Sequence, residues 1–149
     1  MKRIATVLIG VAAGMSWFAC LGQSAPAAPA PDATVWKKGV PPTPDARADF
    51  GNHVMSISHR SANGKAEVHK TKADVMVIQS GTATLVTGGE VVGGVDTAPN
   101  EIQGASIKGG TTHTLNVGDV VEVPAGVPHQ FLLAPGTQIT YLLVKINKS

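Results

Sequence analysis

An all-β fold, a sandwich or a barrel, is what this 149-residue sequence predicts from Phe50 onward. Two observations carry it. Short β-branched and apolar runs follow one another, separated by Gly, Pro and Asn turn signals. No stretch of useful length shows amphipathic helical periodicity. About nine strands over roughly 100 residues are enough to close a small barrel around a pocket.

The strands are predicted in order over His53 to His59, Ala66 to Thr71, Val75 to Gln79, Thr82 to Val86 and Glu101 to Ile107. Thr112 to Val117, Val120 to Val123, Gln130 to Ala134 and Ile139 to Ile146 complete the set. Asn63-Gly64, Ser80-Gly81, Gly88-Gly89, Gly93-Gly94, Gly109-Gly110, Gly118-Asp119 and Pro135-Gly136 mark the turns between them. The least regular segment, Gly88 to Asn100, reads as a hairpin tip or surface excursion. Period-two alternation groups His53, Met55, Ile57 and His59 on one face, taken as inward. It likewise groups Asp74, Met76 and Ile78, then His129, Phe131 and Leu133, and pairs Glu67 with His69. Ionisable groups on inward apolar faces would each cost several kcal/mol if uncompensated, so they need one another or a cation.

Ahead of the barrel the texture differs. Met1-Lys2-Arg3, an apolar run from Ile4 to Ala19 and small residues beyond it have the pattern of a secretory signal peptide, residues 1–25. The run is short for a membrane span, and Pro26, Pro29 and Pro31 end any helix soon after it. The mature protein is therefore expected without a transmembrane span, exported to the periplasm or secreted. Trp17-Phe18-Ala19-Cys20 resembles a lipoprotein box only faintly, because Trp17 and Phe18 are bulky; its use would make Cys20 a lipid-modified N-terminus. Otherwise the single cysteine leaves with the signal, and no disulfide can form. Residues 26–49, with Pro41-Pro42-Thr43-Pro44, read as a linker or N-terminal arm, and residues 50–149 as the barrel domain. Losing Lys2 and Arg3 leaves equal numbers of basic and acidic residues. No basic stripe with interleaved aromatics remains, which excludes nucleic acid as a partner.

The chemistry gathers in two clusters. The first is Glu67-Val-His69, then Asp74 and Gly81; the second is Gly118, Pro124-Ala-Gly126 and His129. An i, i+2 pair on a strand presents both side chains on one face, and Pro124 ends a strand because it cannot continue the hydrogen-bond ladder. Two neighbouring hairpins can thus aim two imidazoles and two carboxylates at one point, a donor set for Fe(II), Mn(II) or Zn(II). His59 is a substitute ligand if it faces inward, and otherwise caps its strand at the Asn63-Gly64 turn. His113 is a candidate for the pocket rim.

These clusters resemble the two motifs of the cupin superfamily. The first motif has His-x-His, then three or four residues, a Glu, six residues and a Gly; here those positions hold Glu67, His69, Asp74 and Gly81. The second is matched by Gly118, Pro124, Gly126 and His129, with Leu133 where the pattern has Asn. The resemblance implies a double-stranded β-helix (cupin, or jelly-roll) barrel with a divalent metal at His69, His129, Asp74 and Glu67. The usual three His and one Glu become two His and two carboxylates, and Asp74 is a methylene shorter than Glu.

Cupins with similar sites include oxygenases, isomerases, decarboxylases and lyases, so the resemblance implies a small-molecule substrate and leaves the reaction open. A spare carboxylate, Glu67 or Asp74, could act as general base. The alternatives are a non-catalytic cupin that binds a small ligand or metal, and a structural or interaction module. The family's habit of pairing through barrel edges implies a homodimer.

Overall fold

The computed structural model describes residues 33–39 and 47–148. The expected signal segment and most of the expected arm lie outside them. Of the arm, residues 33–39 end in a single 3-10 turn, Lys37–Gly39, whose Gly39 lies against the Gln79 side chain. No helix among the described residues is long and apolar enough to cross a membrane.

Thirteen strands follow among the described residues: β1 (Arg47–Asp49), β2 (His53–Arg60), β3 (Ala66–His69), β4 (Lys72–Gly81), β5 (Ala83–Thr87), β6 (Glu90–Val92) and β7 (Val95–Ala98). Then come β8 (Glu101–Gly104), β9 (Ser106–Lys108), β10 (Thr111–Leu115), β11 (Val120–Val123), β12 (His129–Leu132) and β13 (Ile139–Asn147). They form a five-stranded sheet, β1-β2-β13-β4-β11, a six-stranded sheet, β10-β5-β12-β3-β8-β7, and a β6-β9 ribbon. Every described pairing is antiparallel. The all-β expectation and the double-stranded β-helix architecture both hold.

The last residues of the expected arm form β1, which pairs with β2 through Arg47↔Ser56 to Asp49↔Val54. Two expectations are corrected. The surface excursion over 88–100 holds two short strands, β6 and β7. The strand expected over Glu101 to Ile107 breaks at Ala105, where the chain passes from β8 to the separate β6-β9 ribbon. Gly104 explains the close approach there, since a Cβ would collide with the Val91 side chain and Val92 carbonyl.

The core packs between the inner faces of the two large sheets. Met76 and Ile78 from β4, Ile139 and Tyr141 from β13, Leu85 from β5 and Phe131 from β12 are its principal members. Phe131 and Tyr141 stack with centroids 4.9 Å apart. Register sets a gradient along β13 and β4. Tyr141 faces Ile78, Leu143 faces Met76, and Lys145 faces Asp74. One end of the barrel is thus filled with apolar side chains and the other with charges.

Gly81 fixes the turn out of β4. Its φ is +77°, and a Cβ there would run into the Gln138 carbonyl oxygen. The conformation and the close approach together require glycine at this motif position.

Candidate metal centre

Register places each polar side chain of the charged end. His129 of β12 is opposite Glu67 of β3. Across the other edge of β3, Glu67 faces Gln103 and His69 faces Glu101 of β8. Lys145 of β13 is opposite Asp74 of β4. The two motifs are also joined through the backbone, because Gly126 N–H donates to the His69 carbonyl at 2.8 Å. Val127 N–H closes the Pro124 corner at 3.1 Å, with Gly126 at φ +85°. That corner carries the chain straight into His129.

The result is a compact donor cluster. Glu67, His69 and His129 offer ligand atoms all within 4.8 Å of one another. Asp74 Oδ2 lies 3.5 Å from His69 Nε2 and 3.6 Å from His129 Nε2, and Glu67 Oε2 lies 3.8 Å from His69 Nε2. Ligands held tetrahedrally about 2.1 Å from one ion sit roughly 3.4 Å apart. The shortened carboxylate of Asp74 therefore does come close to both imidazoles. Asp74, His69 and His129 are buried, and Glu67 is half-buried.

Both imidazole tautomers follow from their outer contacts. His69 Nδ1–H donates to the Glu101 carboxylate, an acceptor when ionised. That leaves the Nε2 lone pair facing inward, and Lys145 Nζ donates to it at 2.7 Å. His129 Nδ1–H donates to the Val127 carbonyl at 3.2 Å, which leaves its Nε2 lone pair facing Asp74. A second partner that locks ring orientation and tautomer is the usual support of a metal-ligating histidine. Glu67 in turn accepts from Gln103 Nε2 at 3.4 Å.

Lys145 was not expected from the sequence. Its ammonium donates to both Asp74 oxygens, at 2.9 and 3.0 Å, as well as to His69 Nε2. It therefore lies on the same lone pairs that a metal at Asp74 and His69 would use. The ammonium and a metal exclude each other there. His129 Nε2 and Glu67 Oε2 are outside its reach, so acceptors still face acceptors across the rest of the cluster.

The electrostatics reflect these contacts. Burial opposes protonation of His69, but hydrogen bonding to Asp74 and Glu101 outweighs it and holds the imidazole above its usual 6.5. Burial alone would raise Asp74; its hydrogen bond with His69 and the Lys145 charge reverse that and hold it below the usual 3.8. His129 is lowered, chiefly by burial. A proton on His69 Nε2 would turn toward Asp74 and expel the Lys145 contact, since ammonium has no lone pair to accept it.

Two expected candidates lie elsewhere. His59 does not approach the cluster. It is exposed, and its Nδ1 pairs with Thr140 Oγ1 at 3.0 Å. The strand faces the other way from the one expected, with Ser58 and Arg60 on the cavity wall. Alternation shows which residues share a face, but not which face is inside. His113 is also exposed and bonds Thr87 at 3.0 Å. It lines a separate groove of about 520 Å³ beside the edge strand β11, whose walls are largely Leu and Val. That groove is larger than the cavity at the centre, about 150 Å³, but among the described residues it gathers no group of three ligating side chains.

Residues missed by sequence reading were Lys145, Glu101 and Gln103. Glu101-x-Gln103 repeats the i, i+2 pattern of Glu67-x-His69, and Lys145 ends the inward series Ile139, Tyr141, Leu143. Those were the available signals.

Among solved structures, the chain is similar to an uncharacterized conserved protein with a double-stranded β-helix domain from Klebsiella pneumoniae. The TM-score is 0.53 at 14% identity, over 79% of this chain and 93% of that one. The chain has the cupin fold. A cupin 2 conserved barrel domain protein from Salinispora arenicola matches with a TM-score of 0.46 at 19% identity, over 71% of this chain and 70% of that one. DMSP lyase DddQ from Ruegeria pomeroyi matches with 0.46 at 15% identity, over 64% of this chain. The chain spans only 39% of the lyase's length. At such identities the likeness is one of fold. No protein-family model matches the chain, and no curated protein matches it by sequence.

Proposed function

We propose that this cupin binds a divalent first-row metal at His69, His129, Asp74 and Glu67 and handles a small molecule in the adjoining cavity. One observation carries the reading. Among the described residues His129 Nε2 makes no hydrogen bond and lies 3.6 Å from Asp74 Oδ2, a nitrogen and an oxygen lone pair that a shared cation would reconcile. The mixed nitrogen and oxygen set suits Fe(II), Mn(II) or Zn(II). A bound ion there would supply Lewis-acid polarisation of a substrate oxygen. Glu101 and the Val127 carbonyl hold the two imidazoles in the ligating tautomer. Glu67 is the more accessible of the two inner carboxylates and suits the role of general base. Lys145 has to swing away before Asp74 and His69 can both ligate.

A second reading, a non-catalytic binder of small ligands that works without metal, is favoured by Lys145 itself, whose ammonium already satisfies His69 and Asp74. Elemental analysis of protein purified without chelator, and again after reconstitution with Fe, Mn, Zn, Ni and Cu, separates the two. The metal reading expects one ion per chain, lost in the double variant His69→Ala, His129→Ala. Substoichiometric metal under every condition would leave the metal-free binder.

The proposal includes export, with residues 1–25 removed and residues 26–49 as an arm. Mass spectrometry of the mature N-terminus in the exported fraction tests it; an intact Met1-Lys2-Arg3 start would exclude cleavage.

A further inference from the structure

The cavity beside the metal centre has a second polar end. β2 and β13 pair so that Ser58 faces Tyr141 across the strands, with Arg60 two residues further along β2. All three line the cavity. Arg60 Nε donates to the Tyr141 hydroxyl at 2.9 Å, and the guanidinium lies 5.3 Å above the centre of the Phe131 ring. Those two contacts fix the guanidinium plane. They use none of its four terminal N–H groups, which have no hydrogen bond among the described residues. No described carboxylate lies within ion-pair distance of Arg60. Gly64 leaves room for Nη1, since a Cβ there would come within 2.9 Å of it.

Tyr141 sharpens the point. Its side chain is only 2% exposed, and its hydroxyl accepts from Arg60 but donates to no described residue. The Ser58 hydroxyl likewise makes no hydrogen bond among the described residues. Unspent donors from a cation, a buried phenol and a hydroxyl thus converge on one wall. A fixed guanidinium fork of this kind matches the two oxygens of a carboxylate.

We infer that this wall is a carboxylate receptor, and that the cavity takes a small aliphatic monocarboxylate held by Arg60, Tyr141 and Ser58. Met76, Phe131 and Leu143 line the space between the two polar ends and suit an aliphatic chain. At about 150 Å³ the cavity equals roughly five waters' share of liquid volume, which fits an acid of about four carbons. Glu67 and Asp74 at the far end outnumber Lys145 there and disfavour a second carboxylate. The inference rests on reading the cavity as a small-molecule site. It does not require the metal, because every member of the cradle is in place without it.

Titration of the chelator-treated protein with butyrate, followed by amide NMR and calorimetry, tests this. Butyramide is the uncharged control of the same shape and succinate the doubly charged one. Butyrate should saturate with a millimolar Kd and shift the amides of Ser58, Arg60 and Tyr141, while butyramide and succinate bind at least about ten-fold more weakly. Arg60→Met should weaken butyrate by a similar factor, and Arg60→Lys by less, because the charge stays and the fork is lost. Tyr141→Phe, which retains the ring stack, gives a second reading should Arg60→Met not fold; it should weaken binding several-fold. Equal binding of butyrate and butyramide, or no saturable butyrate binding at all, would overturn the inference. His129→Ala should lose metal yet keep butyrate, so failure of the metal centre and failure of the cradle give different results.

Discussion

At the residue scale the centre is decided by what can stand between acceptors. His129 Nε2 faces Asp74 at 3.6 Å, and Lys145 brings its positive charge to Asp74 and His69 with no contact to His129. Removing half of that buried pair should be costly. Asp74→Asn leaves the ammonium without its counter-charge, and denaturant unfolding of the metal-free protein should show a loss of about 3 kcal/mol. Titration gives an independent reading. The raised His69 stabilises the fold fully below about pH 6.5, and that contribution is lost as pH rises through its folded pKa. The lowered His129 acts oppositely: stability is full above about 6.5 and falls as pH drops through its folded value. Asp74 contributes above about 3.8 and loses that contribution on further acidification through its folded pKa. Histidine NMR on metal-free protein should therefore find His69 titrating above His129. Lys145→Met should move His69 higher still, because the lysine charge lowers it. The reverse order would contradict the contacts of His69 with Asp74 and Glu101 and the burial of His129.

At the element scale, most of the strands were legible and their partners were not. Val120–Val123 appears with its predicted limits, and β4, β5, β10 and β12 deviate by only a few residues, because β-branched runs and Gly-containing turns are local signals. Glu67, His69, Asp74 and His129 could be picked out because i, i+2 spacing and the Pro124-Ala-Gly126 corner are also local. Glu101 and Lys145 could not. They reach the centre through the β3-β8 and β13-β4 registers, which join residues far apart in sequence. His59 failed for a related reason, since the alternation along β2 is symmetric until something outside the strand decides its inner face. Two variants test this account of the elements. Gly81→Ala combines a left-handed backbone with a collision against Gln138 and should cost at least about 2 kcal/mol by denaturant unfolding. Glu101→Gln removes the charged acceptor behind His69, and metal affinity should fall by about 10- to 100-fold with little change in fold. An unchanged affinity would mean that the β8 contact does not orient the ligand.

At the scale of the whole molecule, the barrel is divided along its length. Ile78, Leu85 and Ile139 belong to the apolar core, while Glu67, His69, Asp74, His129 and Lys145 gather at one end of the cavity and Ser58, Arg60 and Tyr141 line its other wall. Metal that binds only the folded state should raise the melting temperature with ion concentration. The most direct test is calorimetric titration of Zn(II) and Mn(II) into chelator-treated wild type and the Lys145→Met variant. One site is expected in each, with at least about ten-fold tighter binding in the variant, where no ammonium has to be displaced from Asp74 and His69. No binding in either protein would contradict a metal centre, and equal affinity in both would contradict the competition by Lys145.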